Sequence, residues 1–262
     1  LTLRSLLFYA GYVPMTILMS SLFIILFPLL PHRGRYEFSA AWCRSILVWL
    51  RVSCGVKYEV RGLDNLRPGA MVVLANHQSS WETLFFYQLI YPVAPILKRE
   101  LMRIPFWGWA LWLLKPIAID RSKPRNASRS LMEQGARRLR EGYSVIIFPE
   151  GTRSAVGTLR PFTRSGAKLA IAAGVPVTPV ALDAGKCWPP HQIIKYPGTI
   201  QVSIGPPIDP AGHDSNSLTA EVESWIGKEL AANRLTHCCS DSRAGTFVPR
   251  YPALLPPGRS LR

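Results

Sequence analysis

Residues 71–82 read MVVLANHQSSWE, and this stretch decides how the whole chain is interpreted. Its first four residues form a short apolar run that is typical of a buried strand. Residues 83–90 predict a helix, so His77 and Glu82 lie at a strand-to-helix turn. On one continuous helix their spacing would place the two side chains about 140° apart. They can meet only if His77 lies in the turn and Glu82 lies in the first turn of the helix.

The chain after residue 56 alternates between strands and helices. Asn126 is predicted to cap the N-terminus of one helix, and Gly142 follows the C-terminus of that helix. Residues 101–114 are predicted to be helical or irregular. This alternation predicts an α/β fold, with a mixed sheet flanked by helices. Strands are predicted at 57–61, 71–75, 93–97, 116–120, 144–148, 175–182 and 199–204, and helices at 127–141, 163–173 and 217–233.

The N-terminal region predicts a membrane anchor. Residues 6–30 carry no charge, and a span needs about 20 apolar residues. Pro14 and Pro28 interrupt this run, so a kinked or re-entrant anchor is an alternative to a span. Residues 38–56 place Arg44 and Arg51 on one helical face, which predicts an amphipathic helix at the membrane surface. An ordinary surface helix of a soluble domain is the competing interpretation.

These observations predict three segments. Residues 1–55 would form membrane-anchoring helices, and residues 56–235 an α/β domain. Residues 236–262 are rich in Pro, Ser, Gly and Arg and are predicted to be a disordered tail.

The charge balance indicates an anionic partner. The chain has 31 Lys and Arg residues against 16 Asp and Glu, a formal net charge of +15. These basic residues alternate with Trp and long apolar runs, which favours membrane and lipid. The sequence shows no helix-turn-helix, RNA-binding aromatic or zinc-finger pattern, so nucleic acid is not expected. The five cysteines include no C-x-x-C pair, which favours a reducing compartment and indicates neither a disulfide framework nor a metal site.

His77 is a candidate general base, since a free imidazole has a pKa of about 6.5 and can accept a proton at neutral pH. A carboxylate on its other nitrogen would fix the tautomer and stabilise the imidazolium. Ser79 and Glu82 also fit a capping box, in which Ser79 begins a helix and Glu82 serves its backbone. The two roles compete for one carboxylate, and the spacing does not decide between them.

A second polar stretch, FPEGTRS at residues 148–154, follows a predicted buried strand. Gly151 would let backbone amides approach a ligand closely, and Arg153 offers a planar fork that suits phosphate oxygens. Glu150 would repel a phosphate, so we expect it to orient Arg153 or to accept a hydrogen bond from a substrate hydroxyl. A strand-to-loop turn with a local Glu–Arg pair is the plainer alternative.

Taken together, four ordered segments resemble the conserved blocks of the glycerolipid acyltransferase family, most closely its bacterial 1-acylglycerol-3-phosphate branch. The resemblance covers about residues 70–185. The first block usually ends in Asp, whereas this chain has Glu82, a longer side chain that can still reach a histidine. The four segments are Asn76-His77 with Glu82; Lys98-Arg99-Glu100-Leu101 with Ile104, Pro105 and Gly108; 148–153; and 175–182.

The resemblance implies acyl transfer to a lysophospholipid. His77 would remove the proton from the sn-2 hydroxyl of 1-acylglycerol 3-phosphate, and the oxygen would attack an acyl thioester to give phosphatidic acid. Acyl-CoA or acyl carrier protein would be the donor, and no cofactor or metal is expected. Other acceptors, such as glycerol 3-phosphate or a lyso-ornithine lipid, are alternatives, as is a catalytically silent lipid-phosphate-binding protein. The substrate phosphate would be held by Glu150, Gly151, Thr152 and Arg153, with added positive charge from Lys98 and Arg99.

The resemblance also implies a bacterial inner membrane location, with the catalytic domain on the cytosolic side. Residues 97–168 contain fifteen Lys or Arg and five Asp or Glu, which we expect to attract anionic lipids and acyl carriers. Residues 104–114 contain three tryptophans. These predict core packing, or alternatively an acyl-chain pocket or a membrane-interface belt.

Overall fold

The computed structural model describes residues 1–120 and 124–237. A seven-stranded mixed sheet lies at its centre, in the order β1-β7-β6-β2-β5-β3-β4. Strands β6, β2, β5, β3 and β4 are parallel, whereas β7 is antiparallel to β6 and parallel to β1. The strands are β1 (Val56–Arg61), β2 (Val72–Ala75), β3 (Val93–Lys98), β4 (Ile117–Ile119), β5 (Ser144–Ile147), β6 (Val177–Leu182) and β7 (Gly198–Ile204).

Helices cover both faces of this sheet, which confirms the predicted fold class. The first four helices contribute to the core on one face, and the last three contribute to the core on the other. They are α1 (Thr2–Leu26), α2 (His32–Cys54), α3 (Trp81–Leu89), α4 (Trp107–Leu113), α5 (Pro124–Arg140), α6 (Ser165–Ala173) and α7 (Ser215–His237).

Strand β2 shows why the sheet is buried on both sides. All four of its residues are buried. Val73 and Ala75 pack in the core beneath α1–α4, whereas Val72 and Leu74 pack in the core beneath α5–α7. Because successive side chains of a strand point to opposite faces, a continuous apolar run is required when both faces are covered.

Helix α1 is longer than expected, because it continues through Pro14. Proline removes one backbone hydrogen bond and strains the preceding turn, yet α1 continues past Pro14 and packs against α2. The indole of Trp49 lies so close to Gly11 that a Cβ there would be 2.3 Å from Nε1. The same Nε1–H donates a hydrogen bond to the carbonyl of Phe8 at 3.0 Å. The expectation that Pro14 breaks the run was therefore wrong.

The start of α5 was also misplaced. The helix begins at Pro124, so Asn126 lies inside its first turn and is not the N-cap. Proline suits the first helical position because its missing N–H would have had no intrahelical partner. Gly142 does lie just past the C-terminus, with a left-handed backbone.

The N-terminal helices share a core with the sheet. Phe8 of α1 and Ile46 and Leu50 of α2 are completely buried in the same cluster as residues of β2 and β7. The boundary at residue 55 between the anchoring helices and the α/β domain stays a prediction. Helix α7 extends to His237, and the rest of the predicted tail lies outside the described residues.

Candidate active site

The candidate residues gather at one edge of the sheet. Strands β2, β5 and β3 are parallel neighbours, so their carboxyl ends meet at the same edge, where α/β proteins place their ligands. His77 follows β2 by two residues, Glu150 follows β5 by three, and Lys98 ends β3. Topology thus brings together blocks that are far apart in the sequence.

Asn76 fixes the turn that carries the histidine. Its side-chain Nδ2–H donates to the carbonyl of Leu182 at 2.8 Å, and the Leu182 N–H donates to its Oδ1 at 2.9 Å. Both atoms of the amide are therefore bound to the end of β6. Asn76 is 1% exposed, and this double hydrogen bond anchors the start of the turn.

His77 and Glu82 are in direct contact. Nδ1 of His77 lies 2.5 Å from Oε2 of Glu82, whose side chain is completely buried. The imidazole ring also stacks on Phe148, with ring centroids 4.1 Å apart. A carboxylate on Nδ1 favours the tautomer in which Nε2 is the proton acceptor. The pair is thus arranged for general-base chemistry at Nε2.

The capping role of Glu82 is present as well. Its Oε1 accepts the N–H groups of Gln78 at 2.8 Å and of Ser79 at 2.7 Å, and Oγ of Ser79 accepts the N–H of Trp81 at 3.1 Å. One carboxylate oxygen therefore serves the helix start and the other serves His77. Helix α3 begins at Trp81 with Ser80 as its N-cap, so the prediction that Ser79 is the N-cap was wrong, although Glu82 does bind both the residues before the helix and His77.

The buried carboxyl of Glu82 is under opposing influences. Burial raises its pKa, because removing water penalises the charged form. The hydrogen bonds from His77 and from the N–H groups of Gln78 and Ser79 lower the pKa and partly offset the effect of burial. Burial is the largest influence, so the pKa of Glu82 remains above its ordinary value.

Glu150 occupies a different position from the one expected. Its Oε1 accepts the backbone N–H of His77 at 2.7 Å, and its Oε2 accepts the hydroxyl of Ser154 and the N–H of Arg160 at 3.1 Å. Among the ion pairs of residues 1–120 and 124–237, none joins Glu150 to Arg153. The expectation that Glu150 orients Arg153 was therefore wrong.

The loop after Glu150 presents groups that suit a phosphate. Gly151 has a left-handed backbone, with φ of 72°, which other residues adopt only with strain. Thr152 is exposed and Arg153 is half-buried. Within the described chain, Nε of Arg153 is a buried donor with no hydrogen-bond partner. Buried donors are nearly always satisfied, so this atom favours a ligand at the loop.

Lys98 and Arg99 are exposed where β3 passes into a short 3₁₀ turn at this edge. In the described part of the chain, no hydrogen bond or ion pair joins either residue to the 150–154 loop. Their substrate role, like that of Thr152 and Arg153, stays a prediction.

The tryptophan segment lies largely outside the core. Trp109 is 50% exposed and Trp112 is 64% exposed, whereas Trp107 packs partly buried against the core. Helix α4 packs beside α1. We call the exposed large side chains of these two helices the apolar outer face. It includes Leu6, Leu7, Val13, Ile17, Leu18, Leu22 and Ile25 of α1 and Trp109 and Trp112 of α4.

Three contributors to the site were not singled out from the sequence. Ser154 binds Glu150, Phe148 stacks on His77, and Gln78 accepts the N–H of Gly185 through Oε1 at 3.2 Å. Phe148 and Ser154 are the two ends of the 148–154 stretch, and this position in the sequence was the available signal.

The comparisons with known proteins agree with this geometry. The model of the acyltransferase family matches residues 57–183. The 1-acyl-sn-glycerol-3-phosphate acyltransferase of Pseudomonas aeruginosa is 45% identical over 234 residues, which are 87% of this chain and 91% of that protein. Human 1-acyl-sn-glycerol-3-phosphate acyltransferase alpha is 30% identical over 216 residues, 81% of this chain and 74% of that protein.

One solved structure shares the fold. The crystal structure of the 1-acyl-sn-glycerophosphate (LPA) acyltransferase PlsC from Thermotoga maritima matches with a TM-score of 0.77 at 24% identity, covering 92% of this chain and 97% of that one. With a Pseudomonas relative at 45% identity across most of both chains, the chain belongs to the acyltransferase family.

Proposed function

We propose that this enzyme transfers a fatty acyl group from an acyl thioester to the sn-2 hydroxyl of 1-acyl-sn-glycerol 3-phosphate, which yields phosphatidic acid. The observation that carries the proposal is the contact between the two loops. His77, held by Glu82, is bonded through its backbone to Glu150, the first residue of the loop that presents Arg153. A candidate base and a loop suited to bind phosphate are therefore adjacent. An acceptor that carries both a hydroxyl and a phosphate requires this arrangement.

The reaction follows from this arrangement. Nε2 of His77 takes the proton of the sn-2 hydroxyl as that oxygen attacks the thioester carbonyl. Glu82 stabilises the imidazolium that forms, because its Oε2 lies on Nδ1. When the tetrahedral intermediate collapses, the carbon–sulfur bond breaks and the imidazolium proton passes to the thiolate. A thiol has a pKa of about 8.5 and leaves readily, so activation of the alcohol is the harder step.

The phosphate of the acceptor would lie against the 151–153 loop. Nε of Arg153 is buried without a partner among the described residues, and a guanidinium binds phosphate oxygens in a bidentate manner. The exposed Lys98 and Arg99 add positive charge at the same edge. A phosphate bound there would lie beside His77, while both oxygens of Glu150 already accept protein donors.

We also propose how the protein meets the membrane. Helix α1 is long and apolar enough to cross a bilayer, and 11% of its most apolar window is buried. Its first turns are tied to the domain, because Arg4 donates to the carbonyl of Ser53 and Ser5 accepts the N–H of Lys195. Further along, Phe23 packs on Phe38 of α2. A helix docked along its length lies in the interface with one face in lipid.

On this account the apolar outer face enters the cytosolic leaflet of a bacterial inner membrane, and the α/β domain remains in the cytosol. An acceptor with one acyl chain would then reach His77 from the bilayer.

The test is an acyl-transfer assay on purified protein with several acceptors and two donors. The acceptors are 1-acylglycerol 3-phosphate, glycerol 3-phosphate, monoacylglycerol and a lyso-ornithine lipid, each with acyl-CoA and with acyl carrier protein as donor. We expect rapid formation of phosphatidic acid from 1-acylglycerol 3-phosphate and much slower transfer to the other acceptors. A preference for another acceptor would overturn the assignment.

A further inference from the structure

The backbone of His77 is held on both sides by one loop. Its N–H donates to Oε1 of Glu150 at 2.7 Å, and its carbonyl accepts the N–H of Ser154 at 2.7 Å. Glu82 and Phe148 hold the imidazole ring, and Glu82 also accepts the N–H of Gln78, the next residue. The N–H and the carbonyl of His77 itself are both bonded to the loop that contains Glu150 and Ser154, so the position of the base depends on this loop as well.

The two loop residues also bind each other. The hydroxyl of Ser154 donates to Oε2 of Glu150, and the N–H of Arg160 donates to the same oxygen at 3.1 Å. Glu150 is 8% exposed and Ser154 is 1% exposed. Buried polar groups need hydrogen-bond partners, and here protein donors bind both oxygens of Glu150. Its ligands are His77, Ser154 and Arg160.

We infer that Glu150 and Ser154 are positioning residues that fix the backbone of His77, so that the loop expected to hold the substrate phosphate also sets the position of the base. Gly151, Thr152 and Arg153 lie between the two. A shift of the loop on phosphate binding would be passed to His77 through the two backbone hydrogen bonds. This inference rests on the proposed function, in which His77 is the base.

Glu150 could either contact the acceptor or position His77, and these two roles predict different kinetics. If Glu150 contacted the acceptor, its replacement would raise the KM for that acceptor. If it positions His77, its replacement lowers kcat and changes the KM little, because a displacement of about 1 Å can cost about 100-fold in rate. Ser154 should follow the same pattern, since it acts through Glu150 and through the His77 carbonyl.

The experiment compares Ser154→Ala and Glu150→Gln with Ser154→Thr and a matched control. Thr158→Ala removes a hydroxyl from the same loop that donates only to the carbonyl of Ala155. With 1-acylglycerol 3-phosphate and acyl-CoA, we expect Ser154→Ala to lower kcat about 10-fold to 100-fold, because a displacement of the base by about 1 Å can cost about 100-fold in rate. The acceptor KM should stay within about 2-fold. Ser154→Thr should regain most of the activity, and Thr158→Ala should match the wild type.

A second measurement does not depend on turnover. The rate of modification of His77 by diethyl pyrocarbonate, followed by peptide mass spectrometry, reports how firmly the ring is held. We expect faster modification in Ser154→Ala and Glu150→Gln, and an unchanged rate in Thr158→Ala. Ser154→Cys, which keeps the side-chain size, replaces Ser154→Ala if circular dichroism shows that the alanine variant is unfolded.

Two results would overturn the inference. One is a kcat in Ser154→Ala equal to that of the control, with an unchanged modification rate. The other is a rise confined to the acceptor KM in Glu150→Gln. Failure of the proposed function would look different, because the wild type would then transfer no acyl group to 1-acylglycerol 3-phosphate, while the modification rates would still report on the positioning of His77.

Discussion

Glu82 binds His77 and the start of helix α3 at the same time. Its Oε2 lies 2.5 Å from Nδ1 of His77, and its Oε1 accepts the N–H groups of Gln78 and Ser79. A carboxylate used in this way sets both the tautomer of the base and the geometry of the turn. The extra methylene that distinguishes Glu from Asp therefore does not prevent the contact.

Replacement of Glu82 by Gln should remove most activity. The amide is neutral, so it cannot stabilise an imidazolium, and we expect kcat to fall by about 100-fold or more. Glu82→Asp keeps the charge and should retain more activity than Glu82→Gln. Steady-state kinetics of the two purified variants would check this. A Gln variant as active as the wild type would leave Glu82 with the capping role alone.

Arg153 should affect acceptor binding more than donor binding. We expect Arg153→Ala to raise the KM for 1-acylglycerol 3-phosphate about 10-fold to 100-fold, because a charged hydrogen bond to the phosphate is lost. The KM for the acyl thioester should change little. Arg129→Ala is the matched control, since Arg129 is exposed on α5 and paired with Glu133. An unchanged acceptor KM would place the phosphate elsewhere.

The apolar outer face should determine membrane binding. We expect the double variant Trp109→Ser and Trp112→Ser to bind vesicles containing phosphatidylglycerol about 10-fold or more weakly, because two exposed indoles leave the interface. Vesicle sedimentation measures the change. Ile171→Ser is the control, as Ile171 is exposed on α6 in the opposite layer. Equal binding by the double variant and the control would contradict the proposed orientation.

Lys195 should make stability depend on pH. Its side chain is completely buried, its ammonium donates to the carbonyls of Gln192 and Ile193, both at 2.8 Å, and it lies near the rings of Tyr9 and Trp188. Burial lowers the pKa of Lys195 to about 8. The ordinary lysine pKa is about 10.4, so between these values the unfolded chain binds more protons. Stability should therefore rise as pH increases through this window.

The measurement is the Tm of the wild type and of Lys195→Met from pH 7 to pH 10. We expect the Tm of the wild type to rise relative to that of Lys195→Met as pH increases, because only the wild type loses a buried positive charge. Comparing the two proteins cancels the titration of all other groups. A difference in Tm that does not vary with pH would contradict the lowered pKa.

The sequence predicted most of the sheet for a simple physical reason. Strands such as β2 and β5 are buried on both faces, so in the sequence they are short apolar runs between turns. The contact between His77 and Glu82 was also predictable, because the two residues are close in the sequence. The continuation of α1 through Pro14 was not predicted, because a proline inside a helical pattern ordinarily ends or kinks the helix.

The hydrogen-bond partners of Glu150 could not be predicted from the sequence. Whether a carboxylate points to a ligand or to the protein depends on which backbone groups surround it. The groups here are the N–H of His77, from a loop 73 residues earlier, and that of Arg160. A pattern of neighbouring residue types carries no information on such distant partners. The tryptophans of α4 likewise could not be assigned to core or surface without the packing of α1.

The central claim is that His77 is the general base for acyl transfer to 1-acylglycerol 3-phosphate. The most direct test is the rate of phosphatidic acid formation by purified wild type and His77→Ala at saturating acyl-CoA, with circular dichroism and vesicle binding measured on both. We predict a loss of at least about 100-fold, with folding and membrane binding unchanged. A folded His77→Ala variant that forms phosphatidic acid at the wild-type rate would contradict the claim.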